Sequence, residues 1–118
     1  MTLEQRVKTK AALGRYGMHV RRSDRVSLAW QDAIEEALEY YDHHDPLRSE
    51  LVRIRYFQHQ TEEKTLERLN LGRTTYQKAH DDFLSTVAVN AARRGALDAS
   101  AGSAKPGQPA MAAPQQIK

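Results

Sequence analysis

Residues 61–84 constrain this chain more than any other stretch: Thr-Glu-Glu-Lys-Thr-Leu-Glu-Arg-Leu-Asn-Leu-Gly-Arg-Thr-Thr-Tyr-Gln-Lys-Ala-His-Asp-Asp-Phe-Leu. They read as two helices joined by a very short turn. Thr61 is suited to cap the first helix, because its hydroxyl can accept from a first-turn backbone N–H. Glu62 and Glu63 then sit where the positive end of the helix dipole favours carboxylates. Leu66 and Leu69 share one face. Asn70 tolerates the left-handed backbone that closes a helix, and Leu71 plugs the angle that follows. Gly72 caps a second helix that starts at Arg73 and buries Tyr76, Ala79 or His80, Phe83 and Val87. A short helix, a three-residue turn and a longer helix is the helix-turn-helix plan.

An ordinary helical hairpin would share this spacing. What argues for DNA is the opening of the second helix, where Arg73, Thr74, Thr75, Gln77 and Lys78 are all donors suited to phosphates or base edges. Charge must then act locally. The net charge over 118 residues is only +3. Residues 1–44 carry seven basic and seven acidic side chains, and residues 45–94 carry nine and seven, so no segment is a polybasic arm. DNA binding would therefore come from a stripe on a folded face.

The rest of the chain supplies helices to support that motif. Thr2-Leu3-Glu4-Gln5 has the spacing of a capping box, and a helix is expected to about Leu13 with Leu3, Val7 and Ala11 on one side. Gly14 and Gly17 weaken helix formation, so residues 15–22 read as a connector or a frayed helix end. Ser23 or Asp24 opens a second helix to about Asp42, with Val26, Trp30, Ile34, Leu38 and Tyr41 as its apolar stripe and Ala33 and Ala37 beside it. Gln31, Asp32, Glu35, Glu36 and Glu39 cover its outer face, which is acidic and should point away from DNA. Pro46 starts a third helix, where it costs no hydrogen bond. Leu47, Leu51, Ile54 and either Tyr56 or Phe57 line the inside of that helix, and Arg48, Arg53 and Arg55 lie outside. Gln58-His59-Gln60 leads into the motif, whose last helix runs through Val87, Ala88 and Ala91 to about Arg94, with Gly95 placed to cap it. The expected fold is all-α: an N-terminal helix and connector over 1–22, and a helical bundle over 23–94 that contains the helix-turn-helix of 61–94. Of the 24 residues from Gly95 onward, 18 are Ala, Gly, Pro, Ser or Gln, so 95–118 reads as a disordered tail.

Other chemistries find little support. The absence of cysteine excludes disulfides and thiolate metal sites, and fits a cytoplasmic location. No apolar run approaches the ~20 residues of a membrane span, and the N-terminus lacks the apolar core of a signal peptide. His43 and His44 point in different directions on a helix, and His59 and His80 are isolated in sequence, so no metal site is expected. There is no nucleophile elbow, no phosphate-cradling glycine loop and no carboxylate-oriented histidine. The expectation is a non-enzyme without a cofactor.

Leu51-Val-Arg-Ile-Arg-Tyr-Phe57, then Thr61, then Leu66-Glu-Arg-Leu-Asn-Leu-Gly-Arg-Thr-Thr-Tyr76 together resemble region four of sigma-70-type factors. They are more similar still to the ArpU/RinA-like regulators of phage late genes, over about residues 28–92. The resemblance departs at Lys64-Thr65-Leu66, where Glu-Ile-Ala is usual, and at Gly72, where serine is usual. It implies that Arg73, Thr74, Thr75, Gln77 and Lys78 face double-stranded DNA; RNA polymerase is a further candidate partner. Arg53 and Arg55 would help to hold phosphates. Two other functions fit the same pattern: a small-terminase-like DNA-recognition subunit of phage packaging, and a helical adaptor that binds only protein.

Overall fold

The structure is a computed structural model that describes residues 1–18 and 23–97. These form five α-helices and one π-helical turn, with no strand among them. The helices are α1 (Leu3–Gly17), α2 (Arg25–His44), α3 (Pro46–Val52), α4 (Glu62–Leu69) and α5 (Arg73–Arg93), and the π turn spans Arg53–Phe57. The all-α expectation is met.

The capping box of α1 is formed. The Thr2 hydroxyl accepts from the Gln5 N–H at 3.0 Å, and Gln5 Oε1 accepts from the Thr2 N–H at 2.9 Å. The expected inner face is not the one used. Leu3 and Val7 are 77% and 58% exposed, whereas Gln5, Thr9, Ala12 and Leu13 are buried. α1 lies against α5 and the π turn through Gln5, Thr9, Ala12, Leu13 and Gly17, and the face of Leu3 and Val7 is turned outward. Thr9 is tolerated there because its hydroxyl donates to the Gln5 carbonyl at 2.7 Å. Nor does the helix end at Leu13. It continues through Gly14 to Gly17, where an added Cβ would stand 2.3 Å from the Tyr56 carbonyl oxygen. Contacts made by Tyr16, with its ring centroid 5.2 Å from that of Phe57 and its hydroxyl 3.1 Å from Glu35, outweigh the ~1 kcal/mol propensity cost of a helical glycine. Residues 19–22 of the expected connector lie outside the described residues.

Asp24 caps α2 by accepting from the Ser27 N–H at 3.0 Å. Trp30, Ile34 and Leu38 enter the core as expected, but Val26, 44% exposed, sits too near the helix start to reach it. Ala29, Ala33 and Ala37 are buried, and α2 packs against α5. Into this contact Asn90 donates from its amide to the Ala33 carbonyl at 3.2 Å, which pins the register of the two helices. The Tyr41 hydroxyl bonds Thr86 Oγ1 at 2.7 Å, while its ring packs 5.5 Å from Phe83, one of the largest fully buried side chains.

Pro46 does occupy the first turn of α3. The single helix expected over 46–57 changes its winding at Arg53, and the Gln58 N–H reaches back five residues to the Arg53 carbonyl at 2.9 Å. This wider turn lets both aromatics face inward. Tyr56 is buried against α5, and Phe57 packs on Tyr16 of α1.

The end of α5 corrects the expected tail boundary. Gly95 adopts a φ of +78°, the Ala96 N–H reaches the Ala91 carbonyl at 2.9 Å, and Leu97 turns back into the core with 7% of its surface exposed. One large apolar side chain suffices to dock this turn once the helix behind it offers a pocket, so residues 95–97 belong to the fold. The remaining tail, 98–118, lies outside the described residues. Among the described residues, no helix is long and apolar enough to cross a membrane.

Candidate nucleic-acid interface

The α4–turn–α5 unit is built from local signals that act in series. The Thr61 hydroxyl accepts from the Lys64 N–H at 3.1 Å, and Glu62 and Glu63 occupy the first turn of α4. Asn70 closes α4 in the left-handed region, at φ 55° and ψ 51°. The Leu71 N–H then returns to the Leu66 carbonyl at 3.0 Å, and the Asn70 N–H to Glu67 at 3.2 Å, the paired bonds of a Schellman closure. Gly72 N-caps α5 in an extended conformation and offers no side-chain oxygen. The opening N–H groups of α5 are therefore left without a side-chain cap.

α4 is held less deeply than its leucines suggest. Leu66, Leu69 and Leu71 pack on the core but stay partly exposed, and the fully buried residue of α4 is Thr65. Its hydroxyl donates to the Thr61 carbonyl at 2.8 Å. The polar atom of this buried threonine is thus satisfied within its own helix.

α5 is anchored by Tyr76, Ala79, His80 and Phe83, all buried. Its first two turns consequently turn Arg73, Thr74, Thr75, Gln77 and Lys78 to solvent. The structure brings these five sequence-predicted residues onto one exposed surface. Arg73 is ion-paired with Glu62 across the turn, and Lys78 Nζ stands 3.8 Å from Asp82. Such exposed pairs are worth little and yield readily to a phosphate. No acidic side chain lies in the first turn of α5, but Asp81 and Asp82 follow one turn beyond Gln77 and Lys78. These two carboxylates leave the start of the helix as the part of α5 whose own side chains can meet an anion.

The two supporting arginines separate. Arg55 lies near the unit: it donates to the Gln60 carbonyl at 3.2 Å, and its guanidinium is 5.5 Å from the centre of the Tyr56 ring. Arg53 is held at the end of α2 by both oxygens of Asp42, at 2.9 and 2.7 Å. That bidentate pair lowers the Asp42 carboxyl to about 2, with the Arg53 hydrogen bond as the largest cause and Ser49 next. Arg48 is likewise engaged, bonding Asp82 at 2.6 Å and also Asp45. Sequence reasoning assigned no role to Arg6 of α1, yet its guanidinium reaches Asp81 at 2.8 Å and so borders the exposed surface of α5. Only its charge could have signalled this.

Among the described residues, no group of three or more histidine or carboxylate side chains is assembled to hold a metal ion. Comparison with protein-family models, curated proteins and solved structures finds no match to this chain.

Proposed function

We propose that this protein is a sequence-specific DNA-binding transcriptional regulator, with α4 and α5 as a helix-turn-helix of the sigma-70 region 4 kind. The observation that carries this reading is the division of α5. One side is anchored in the core by Tyr76, His80 and Phe83, and the opposite side presents Arg73, Thr74, Thr75, Gln77 and Lys78 to solvent with uncapped backbone N–H groups beside them. A rigid helix whose N-terminal turns carry donors of several shapes can enter a major groove and bond both base edges and phosphates. The resemblance of residues 28–92 to ArpU/RinA-like regulators directs the proposed role toward phage or prophage late genes, and RNA polymerase is a further proposed partner.

Selecting bound duplexes from a random pool tests this directly. An enriched motif, together with affinity that falls linearly with the logarithm of salt concentration, supports the regulator. Binding without any enriched motif removes the claim of sequence specificity. No binding at low salt removes the DNA reading altogether and leaves the protein-only adaptor.

A further inference from the structure

We propose that α1 forms a second contact with the DNA backbone, in which Arg6 and Lys10 hold phosphates beside the groove entered by α5. This rests on the DNA reading above and adds to it an element that the motif does not contain.

The placement follows from how α1 packs. Its N-terminal end, at Met1 and Gln5, lies beside Ser85, Ala88 and Leu97, and its C-terminal end abuts Tyr56 and Phe57 of the π turn. It therefore runs antiparallel to α5. Arg73, Gln77 and Asp81 are spaced four apart and share one edge of α5. Asp81 is the residue that Arg6 grips at 2.8 Å, so this edge is the one facing α1. Lys10 is one turn further along the same side of α1, displaced toward the N-terminal end of α5. It is exposed; burial is the main cause that keeps the His80 ring neutral, and Arg6, Lys10 and Arg55 act in the same direction while Asp81 opposes them.

Charge distinguishes the two edges of α5. On the α1 side stand Arg73, Arg6, Lys10 and Arg55 against the carboxylates of Asp81 and Glu62. On the α3 side, Lys78 and Arg48 are matched by Asp82 and Asp45. The excess of cations on one edge only is what a helix lying obliquely in a groove needs, where one flanking strand passes closer than the other. Sequence is read by α5; α1 would supply affinity without base preference.

The experiment titrates the full chain and its variants with a mixed-sequence DNA duplex at several salt concentrations. Lys10→Ala, which removes an exposed side chain, and Arg6→Ala should each flatten the salt dependence by about one unit of slope and weaken all duplexes alike. Asp81→Asn should act in the opposite sense and tighten binding, because it releases Arg6 and removes a like charge from the phosphate path. Lys8→Ala serves as a control, since Lys8 lies on the other side of α1, 3.2 Å from Glu4, and its loss should change nothing. Unchanged slopes for Lys10→Ala and Arg6→Ala, in a chain whose wild type binds, would overturn the α1 contact and leave the α5 reading standing. A wild type that does not bind the duplex at all would take down both.

Discussion

The Tyr56 hydroxyl and His80 Nε2 lie 2.7 Å apart inside the core, with the histidine ring stacked between Tyr56 and Tyr76 at interplanar angles of 10° and 9°. Burial lowers the imidazole from 6.5 to about 4, with the nearby Arg6 and Lys10 cations acting in the same direction. Burial also raises the Tyr56 hydroxyl to about 12. At neutral pH the tyrosine therefore donates and the neutral imidazole accepts. This contact joins the π turn to the second turn of α5, and so fixes the helix whose opening residues form the candidate interface.

A pH dependence follows. The folded state holds His80 neutral down to about pH 4, whereas the unfolded chain protonates it near 6.5. The unfolded state thus binds more protons between these values, and stability falls as pH drops through that window by about 3 kcal/mol. Above pH 6.5 the contribution is complete. Asp42, lowered to about 2 by Arg53, loses its contribution only below about pH 4, so the two effects are separable. Urea unfolding of wild type and His80→Gln between pH 7 and 4 checks this, and the variant should show a flatter profile over pH 6.5–4.

The two glycines of α1 should respond oppositely to alanine. At Gly14 an added Cβ meets nothing within 4 Å, so Gly14→Ala should stabilise by up to about 1 kcal/mol through helix propensity alone. At Gly17 it would meet the Tyr56 carbonyl at 2.3 Å, and backbone cannot move aside as a flexible side chain can. Gly17→Ala should therefore destabilise by more than about 1 kcal/mol. Thermal melts of the two single variants decide the matter.

Phe83 and Leu69 should also part company. Phe83→Ala empties a fully buried site next to Tyr41 and should cost about 3–5 kcal/mol. Leu69 only leans on the core, so Leu69→Ala should cost less than about 2 kcal/mol. Equal losses in denaturant titrations would mean that α4 is packed more deeply than described.

Leu97 gives a test of where the folded unit stops. Leu97→Ala in the full chain should lower stability by about 2 kcal/mol, toward the low end for buried leucines because the residue stands near the end of its packed turn. For the same reason, truncation after Arg94 should not be neutral. A melting temperature unchanged by Leu97→Ala would show that the turn beyond Gly95 contributes nothing.

For the proposed DNA contact, Arg73 and Gln77 stand one turn apart on the edge toward α1, with side chains suited to guanine and adenine edges respectively. Replacing either by alanine should cost ~1–3 kcal/mol on a selected site and relax the base choice at one position. Lys78→Ala should weaken matched and scrambled duplexes equally. Titration of each variant against both duplexes separates base contacts from phosphate contacts.

The features legible in the sequence are those made between residues three to six apart. The Thr2–Gln5 box, the Asp24 and Thr61 caps, Pro46 in a first turn and the left-handed Asn70 all appear as expected, because each depends only on the backbone beside it. The exposed donors of α5 were legible for a related reason: Tyr76, Ala79, His80 and Phe83 mark one face as buried, and Arg73, Thr74, Gln77 and Lys78 fall mainly on the other. What only the tertiary structure decided is what depends on partners far along the chain. Leu3 and Val7 look like a core face until α5 and the π turn select Thr9, Ala12 and Leu13 instead. Gly17 looks like a helix breaker until the Tyr56 carbonyl lies against it. Leu97 looks like part of a solvated tail until the helices it folds back on provide a pocket, and His80 looks solitary until Tyr56 and Tyr76 close over it. Helix periodicity states which side chains share a face; which face is inside is set by the shape of the neighbour that covers it.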